Sequence, residues 1–500
     1  MESELSTLEQ SWGISKDDPH HVGGERMLTL VHKVIGLSES GKDADNKSTD
    51  YINHCVDVCN SFPRDDMDTT IRLNRILELA YYARNVTVGL QRMSDIMYHN
   101  NDYRNNTDAS LFRFRAIDPE DNTRYQNFLL YAFEYMYQKG YKRYNECVYE
   151  QIVSPEGHET RAWKKIGSIP EVLYRSITKE TNYDQFLNAT SRGDTVDSVA
   201  KHLTRCEDKQ FPELQKDRRI FSFRNGIYFA KNNEFVPYSE IKEHNCPEMS
   251  CKYFDEEFPM ESTYESLQCP HLESILDYQQ LSEDVKYWVY VFIGRLIYEI
   301  NELDGWQVIL FLQGQAGSGK STIIMNVCKQ IFEDEDVGVL SNNVQPKFGL
   351  ADIVDCKMFI GPEIKRNWQI DQTEFQSIVT GEKVTINIKY KNSRFETWNK
   401  PGILAGNEPP DFCDNSGSIQ RRIVVVKFEH RVKDQNLNKG KELKKEMPRI
   451  IKKANIAYLE TAARCGHENV WNHMPEYFKQ TQKELASATN PLIHFLDSGK

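Results

Sequence analysis

The clearest pattern of apolar and polar positions lies past the middle of the chain. Five apolar residues, Val308 to Leu312, form a run with the length of a buried strand. A polar, glycine-rich stretch follows, and apolar residues return at Ile323, Ile324 and Val327 with helical spacing. The pattern therefore predicts a buried strand, a loop and a helix in succession.

Residues before this region predict a mixture of helices and strands. Aromatic residues at helical spacing predict a helix over 125–141 whose aromatic stripe lies in a core. Ser282, followed by two acids, predicts the start of a largely buried helix that runs to Ile300. Asn225 and Gly226 between apolar runs predict a hairpin, because this pair suits a tight two-residue turn.

The glycine-rich stretch, residues 314–321, has the spacing of a phosphate-binding loop. Its glycines allow close approach of the backbone, and its N–H groups and the following helix start favour an anion. Lys320 supplies a charge for the β- and γ-phosphates, and the Ser321 hydroxyl suits Mg2+. The alternative is a glycine-rich turn between a core strand and a helix. The spacing and the flanking elements favour a nucleotide site.

Three later segments carry residues that can complete such a site. The short apolar strand Lys357–Glu363 ends in an acid that can orient the attacking water. A second buried strand ends at Asn407, whose amide can hydrogen-bond the γ-phosphate or the water. Arg421 and Arg422 precede a last core strand, and one of them can reach the γ-phosphate of a neighbouring subunit.

Between these segments, alternating apolar and polar residues over 384–388 predict a strand with one polar face. A turn and a returning limb make it a hairpin. Positive charge beside an aromatic ring suits the backbone and bases of single-stranded nucleic acid. A hairpin with its charges in water is the alternative. The candidate DNA-binding residues are Lys389, Tyr390, Lys391 and Arg394.

Composition limits the setting of this chemistry. The chain has 500 residues, a length typical of two to four domains. No apolar run approaches the ~20 residues that span a bilayer, so an intracellular protein without a membrane partner is expected. Eleven scattered cysteines indicate reduced thiols. The net charge of -12 excludes a generally basic surface but permits a local positive lining.

Two candidate metal sites are weaker. Asp66 and Asp68 are two residues apart, but they lie beside Pro63 and Arg64 with no third acid in an evident strand, and a solvated helix start is favoured. A zinc site is the second candidate, and its spacing matches no common pattern, so ordinary thiols are favoured. Its potential ligands are His244, Cys246, Cys251, Cys269 and His271.

The order of these elements resembles the superfamily-3 helicases of viruses and plasmids. The resemblance is closer to the poxvirus-type primase–helicases of large DNA viruses and phages, with an asfarvirus-like origin plausible. It covers roughly residues 210–470, most strongly 306–428. Three further stretches support it, namely Ser222–Tyr228, Phe348–Leu350 and Asn407–Pro410.

The resemblance implies an α/β core of the AAA+ P-loop type, with a mostly parallel central sheet flanked by helices. It implies a homo-hexameric ring that binds ATP between subunits and moves on single-stranded DNA, usually 3′ to 5′. Lys389 is then the hairpin residue that grips DNA, and Arg422, or else Arg421, is the finger acting in trans. The residues assigned to ATP are Gly314, Gln315, Ala316, Gly317, Ser318, Gly319, Lys320, Ser321 and Thr322.

The resemblance implies roles for the acids, and the sequence departs from the family pattern at one position. Ser321 and Glu363 are expected to hold Mg2+, Glu363 to act as the catalytic acid and Asn407 to sense the γ-phosphate. Many similar proteins have two acids at the end of this strand, whereas Pro362 stands before Glu363 here. Either Glu363 serves both roles, or another acid such as Asp352 or Asp355 assists the metal.

The resemblance also suggests a division of the chain and a cellular setting. The expected parts are 1–120, mainly helical and of open role; 121–300, α+β, helical and collar-like; 301–430, the ATPase core; and 431–500, a helical segment. No primase motifs are visible, and the abrupt end at 497–500 suggests a fragment of a longer protein. Replication-fork DNA and a primase domain or polymerase are the expected partners. The expected location is the host cytoplasm, with the nucleus as the alternative.

Two other classes of function remain open at this level. A monomeric P-loop switch or kinase would use the same loop, but it has no use for a basic hairpin. A DNA-binding assembly or packaging ATPase would explain the hairpin, and Pro362 keeps that alternative open.

Overall fold

The structure is a computed structural model. It describes residues 124–178, 191, 193–205, 211–243, 249–340, 350–386, 393–410, 412, 418–434, 436–466 and 468–489. The helices expected before residue 120, and the acids Asp66 and Asp68, lie outside these residues. The chain divides into two compact units, residues 1–150 with 164–214, and residues 151–163 with 215–500. These limits differ from the four parts suggested by the sequence, and that division stays a prediction.

The elements up to residue 205 mix helices and strands. They are α1 (Arg124–Gln138), β1 (Lys142–Tyr144), β2 (Cys147–Val153), β3 (Glu159–Ser168), α2 (Ile169–Ile177) and α3 (Gly193–Arg205). Phe128, Tyr131 and Tyr135 on α1 are buried in one apolar cluster with residues of α2 and α3. The aromatic stripe predicted for this helix is therefore a core stripe.

A small sheet opens the second stretch. It contains β4 (Lys216–Phe223), β5 (Gly226–Phe229), β6 (Glu234–Pro237) and β7 (Met249–Phe254), in the order β6-β5-β4-β7. β4 and β5 form the predicted antiparallel hairpin, with Ser222 opposite Ile227. The turn differs from the prediction, because Gly226 belongs to β5 and neither Asn225 nor Gly226 has a positive φ. A Cβ on Gly226 would lie 2.4 Å from the Val236 carbonyl oxygen, so glycine is required where β5 meets β6.

The remaining elements build the larger core. They are α4 (Pro270–Tyr278), α5 (Glu283–Arg295), β8 (Ile309–Gly314), α6 (Lys320–Ile323), β9 (Val337–Val339), β10 (Met358–Ile364), α7 (Gln372–Thr380), β11 (Lys383–Ile386), β12 (Arg394–Thr397), β13 (Gly402–Gly406), β14 (Ile423–Phe428), α8 (Lys439–Cys465) and α9 (Glu476–Thr489). None of the helices in the described ranges is both long enough and apolar enough to cross a bilayer.

Five strands form an entirely parallel central sheet in the order β14-β8-β13-β10-β9. Leu310 and Leu312 on β8 enter one apolar core with α5 and α8, whereas Ile309 and Phe311 enter another with α7. Both faces of the sheet are thus covered, as a parallel sheet requires. The expected α/β core is confirmed. Because the strands are parallel, their carboxyl ends all lie along one edge of the sheet, which we call the carboxyl edge. Their amino ends lie along the opposite edge, which we call the amino edge.

α5 leads the chain toward this sheet. It begins after Ser282, as predicted, but ends at Arg295 rather than Ile300. The buried Arg218 guanidinium donates to the carbonyl oxygens of Leu296 and Ile297 at 3.0 and 2.7 Å. These bonds occupy carbonyls that an ending helix leaves without intrahelical partners.

α5 and α8 pack closely just before β8 begins. A Cβ on Gly294 would lie 2.1 Å from the Ala454 carbonyl oxygen, so the two backbones nearly touch. Next to this contact, the Arg295 guanidinium donates to both Asp304 oxygens at 2.8 and 2.9 Å. The Tyr458 hydroxyl donates to the same carboxylate at 2.6 Å. This buried network fixes the entry of the chain into β8.

Candidate functional site

The glycine loop, residues 314–321, joins β8 to α6 at the carboxyl edge. Gly317 and Gly319 have φ values of +79° and +100°, in the left-handed region that favours glycine. A Cβ on Gly314 would lie 2.1 Å from the Phe428 carbonyl oxygen on β14. The predicted succession of strand, loop and helix is confirmed, and all three glycines are needed for its shape.

The helical segment after the loop differs in form from the prediction. α6 covers a single turn, and it continues as a π-helical turn, Ile324–Cys328, and a 3-10 turn, Lys329–Ile331. The three apolar residues that predicted the helix are all buried. Helical structure therefore extends to Ile331, but most of it is not α-helical.

Carbonyl groups of the glycine loop accept hydrogen bonds from the protein. The Lys320 ammonium donates to the carbonyl oxygens of Gly314 and Gln315 at 2.5 and 2.7 Å. Two further loop carbonyls accept from the Val432 N–H and the Gln279 side-chain amide, both at 3.0 Å. Since these carbonyls are engaged, the loop is held in one conformation.

The N–H groups of the same loop differ from its carbonyl groups in their hydrogen bonding. Those of Ala316, Gly317 and Gly319 have no acceptor among the residues that the structure describes. Lys320 beside them is 6% exposed. Burial lowers the pKa of its ammonium, and the Glu363 carboxylate opposes that shift. A row of N–H groups beside a positive charge can bind phosphate.

Glu363 lies at a β-bulge. The register between β10 and β13 shifts between Gly361 and Ile364. A bulge redirects side chains, and a proline suits it because the residue has no N–H for the ladder. Glu363 is exposed while Gly361 and Ile364 are buried. Pro362, which stands where the resemblance suggested a second acid, is thus part of the bulge that exposes Glu363.

Asn407 lies between the glycine loop and Glu363. Gly406, directly before it, pairs with Gln313 on β8 and with Ile364 on β10. Neighbouring strands are about 4.8 Å apart, so Glu363 lies roughly 10 Å across the sheet from the strand of the loop. The structure therefore brings together the loop, Glu363 and Asn407, which the sequence identified separately.

The other acids considered for the metal lie differently. Asp355 precedes β10 and forms an ion pair with Arg394 at 3.1 Å. β10 has seven residues, or roughly 20 Å, so Asp355 cannot share a metal with Glu363 in one subunit. Asp352 lies in the same turn before β10. A second carboxylate at the carboxyl edge belongs to Glu408, which follows β13.

Arg421 and Arg422 lie at the amino edge, because they directly precede β14. β14 has six residues, so roughly 20 Å separates them from the edge that carries the glycine loop. Arg422 is 6% exposed, and its guanidinium donates to the Ser418 carbonyl oxygen. The Arg421 side chain is exposed. Neither arginine reaches the loop of its own subunit, and Arg421 is the one at the surface.

The predicted hairpin is formed by β11 and β12, which pair antiparallel. Arg394 forms ion pairs with Asp355 at 3.1 Å and with Glu396 at 3.7 Å, so its charge is compensated. Phe395, opposite Thr385, is 78% exposed. The hairpin thus presents an exposed ring. The other predicted DNA-binding residues lie outside the described part of the chain, namely Lys389, Tyr390 and Lys391.

The cysteines considered for zinc are partly described. Cys251 and Cys269 are buried, and burial raises the pKa of the Cys269 thiol to about 12. His244 and Cys246 lie outside the described residues. Within the described ranges, no group of three or more His, Cys, Asp or Glu side chains is arranged to hold a metal.

The structure adds three residues to the site that were not predicted from the sequence, namely Gln279, Glu408 and Arg431. Gln279 bonds the glycine loop, and Arg431 lies beside it, with Nε 3.6 Å from the position a Cβ on Gly317 would take. Glu408 and Arg431 each follow a core strand, and such positions gather at the carboxyl edge of a parallel sheet. That rule could have found both. Gln279 has no such signal, because it belongs to another segment of the chain.

Comparison with known families gives one partial match. A family described as of unknown function (DUF5906) matches residues 312–422. This stretch runs from β8 to the residue before β14. It therefore includes the whole glycine loop, Glu363, the hairpin, Asn407 and both arginines.

Comparison with solved structures gives weak likenesses. An apo A-form structure of the NrS-1 C-terminal region matches with 12% identity and a TM-score of 0.30, covering 49% of this chain and 72% of that chain. A second A-form structure of that region, 305–718, matches with 13% identity and a TM-score of 0.27, covering 50% and 71%. A further apo structure gives 14% identity and 0.28, covering 49% and 71%. Likenesses this weak support no conclusion about activity.

Proposed function

We propose that this chain hydrolyses ATP and uses the energy to move along single-stranded DNA, as the core of a homo-hexameric helicase. The observation that carries the proposal is the grouping of the glycine loop, Glu363 and Asn407 at one sheet edge. Lys320 follows β8 and Glu363 lies near the end of β10, so the ammonium and the carboxylate belong to the same edge of the sheet. This grouping suits attack of water on a terminal phosphate.

Each residue of this group then has a defined part. The loop N–H groups and Lys320 hold the β- and γ-phosphates. Ser321 and Glu363 offer the oxygen ligands that Mg2+ prefers. Bound Mg2+ supplies charge that neutralises the phosphate oxygens during bond breaking. Glu363 accepts a proton from the attacking water, and Asn407 donates a hydrogen bond to the γ-phosphate or to the water.

The position of Arg421 supports assembly into a ring. This exposed arginine and the glycine loop lie at opposite edges of the central sheet. An interface that joins the amino edge of one subunit to the carboxyl edge of the next is head-to-tail, and such interfaces form rings when the rotation between subunits closes. In that arrangement Arg421 stabilises the charge on the transferred phosphate of its neighbour. Buried Arg422 is the less suitable candidate.

The exposed face of the hairpin supports contact with DNA. Phe395 offers a ring for base stacking, which is worth about 1–3 kcal/mol per base. On the same strand pair, Lys383 is exposed and offers a charge for the backbone. Arg394 contributes less than the sequence suggested, because Asp355 and Glu396 compensate its charge.

We expect Arg421→Ala to lower ATP hydrolysis by about 100-fold, because the charge on the transferred phosphate loses a stabilising cation. If the arginine acts in trans, mixing Arg421→Ala with Lys320→Ala should restore part of the hydrolysis that each variant lacks alone, because the intact loop of one subunit then meets the intact arginine of the next. Arg422→Ala is the matched comparison, and it should lower the melting temperature because its guanidinium is buried. A mixture of Arg421→Ala and Lys320→Ala no more active than the two variants measured separately would exclude action in trans by Arg421.

The experiment that tests the function is ATP hydrolysis with and without single-stranded DNA, run beside a mass measurement of the particle. We expect a hexamer whose hydrolysis is accelerated by DNA.

Phe395→Ala should bind DNA about tenfold more weakly, because the exposed ring proposed to stack on bases is lost. Leu437→Ala is the control, since Leu437 is 92% exposed outside the hairpin, and it should bind DNA as the wild type does. DNA affinity should also fall steeply between about 50 and 200 mM salt, since phosphate contacts release counterions.

The alternatives predict other outcomes of the same experiment. A monomer that hydrolyses or transfers phosphate without any effect of DNA would indicate a nucleotide switch or kinase. A particle that binds DNA but whose hydrolysis is unchanged by it would indicate an assembly or packaging protein. Either result would exclude the helicase proposal.

A further inference from the structure

Gln279 lies directly after α4 and is 5% exposed. Its Nε2 group donates to the Ser318 carbonyl oxygen at 3.0 Å and to the His430 carbonyl oxygen at 2.7 Å. Its Oε1 atom accepts from the His430 N–H at 2.8 Å. Both amide hydrogens and the oxygen are therefore engaged. The side chain joins the glycine loop to the chain that follows β14.

Phe428 at the end of β14 and the residues after it, up to 432, lie against the same loop at two further points. The Val432 N–H donates to the Gly317 carbonyl oxygen at 3.0 Å. Gly314 meets the Phe428 backbone so closely that no Cβ fits between them. The Tyr278 hydroxyl donates to the Arg431 carbonyl oxygen at 3.0 Å, which ties the end of α4 to this chain as well. α4, the loop and residues 428–432 are thus bonded to one another.

The engaged carbonyls matter for the N–H groups of the loop. In a peptide unit the carbonyl and the N–H point in opposite directions, so holding the carbonyl fixes the direction of the N–H. The Ser318 carbonyl bonded by Gln279 belongs to the same peptide unit as the Gly319 N–H. That N–H has no acceptor among the described residues. Gln279 therefore sets the direction of a donor that lies next to Lys320.

We infer that Gln279 is a positioning residue for phosphate binding, which acts by holding the glycine loop with its N–H groups available to the nucleotide. The inference rests on the proposed nucleotide site. Gln279, which is far from the loop in the sequence, thereby contributes to nucleotide affinity. Gln279 does not contact the nucleotide itself.

The test is Gln279→Glu, which keeps the shape of the side chain and removes both donated hydrogen bonds. At about pH 8 the introduced carboxylate faces two carbonyl oxygens, and we expect ADP affinity to fall by about 10- to 100-fold. Burial raises the pKa of a carboxyl group, so at about pH 5.5 the group is protonated and can donate one bond again. The ratio of variant to wild-type affinity should then recover by about tenfold. Calorimetric titration with ADP at both pH values measures this recovery.

Two further variants control the experiment. Gln280→Glu adds the same charge one residue away, at an exposed position, and should bind ADP as the wild type does. Gln279→Met fills the volume without polar groups, so it should show weaker binding that does not recover at low pH. It also serves if Gln279→Glu does not fold.

The outcomes separate the inference from the proposed function. Wild-type binding of ADP with unchanged affinity in Gln279→Glu and Gln279→Met would overturn the inference alone. A lower melting temperature with unchanged ADP affinity would do the same, since it indicates a purely structural role. If wild-type protein does not bind ADP, the proposed function fails and this inference fails with it.

Discussion

Lys320→Ala is expected to lower ATP hydrolysis by about 1,000-fold or more. The substitution removes the charge proposed for the β- and γ-phosphates, and one preorganised donor alone is worth about 100- to 1,000-fold. It also removes hydrogen bonds that shape the loop, because the Lys320 ammonium donates to two loop carbonyls and to the Ser318 hydroxyl. Steady-state release of phosphate measures the rate, and ADP titration measures the loss of binding.

A matched control for this variant is Lys329→Ala. Lys329 lies in the same helical segment after the loop, where it pairs with Asp334 at 2.9 Å. Its removal deletes the same charge and a similar volume outside the site, so hydrolysis should stay near the wild-type rate. Equal losses in Lys320→Ala and Lys329→Ala would mean that the loop has no special part in hydrolysis.

Glu363→Gln is expected to lower hydrolysis by about 1,000-fold while ATP still binds. The amide keeps the size of the side chain at the bulge but cannot accept the proton of the attacking water, and general-base catalysis is worth about 100- to 10,000-fold. The phosphate-binding loop and Lys320 are unchanged, so binding is retained. The measurement is a single-turnover assay beside an ATP titration, which separates the chemical step from binding.

Glu408→Gln is the control that addresses the missing second acid. Glu408 also follows a strand at the carboxyl edge and lies 3.5 Å from Arg366. If Glu363 serves both as base and as metal ligand, Glu408→Gln should change hydrolysis less than tenfold. A large loss in Glu408→Gln with a raised requirement for Mg2+ would identify it as the second acid. Near-normal turnover in Glu363→Gln would remove Glu363 from the mechanism.

The parts of the site that are local in sequence could be predicted. The glycine loop follows from the spacing of Gly314, Gly319 and Lys320 together with the flanking apolar runs. Its geometry depends on backbone freedom at glycine, which is a property of the residue itself. The α1 aromatic stripe and the pairing of β4 with β5 were also predictable from local patterns, although the turn between β4 and β5 does not use Asn225 and Gly226 as expected. In each case the residues that decide the structure are near neighbours in the chain.

The predictions were less complete where a distant segment decides the structure. α5 ends at Arg295, and Arg218 on β4 bonds the carbonyls of the two residues that follow the helix. Arg394 has an obvious positive charge in the sequence, yet Asp355 compensates it in the fold. Pro362 suggested only a lost acid, whereas pairing with β13 makes it part of a bulge that exposes Glu363. Each of these partners is distant in the sequence from the residue it contacts, so a local pattern could not predict it.

By itself the sequence determined the strand–loop–helix unit, the acid and the amide that follow later strands, and the positive residues of the hairpin. Only the tertiary structure decided that β13 lies between β8 and β10, which places Asn407 beside both the loop and Glu363. It also decided that Arg421 lies at the opposite edge and that Gln279 bonds the loop. The physical reason is that a single strand or loop is determined by residues that are neighbours in the sequence. The order of the strands in the sheet depends instead on how apolar faces from distant segments pack together.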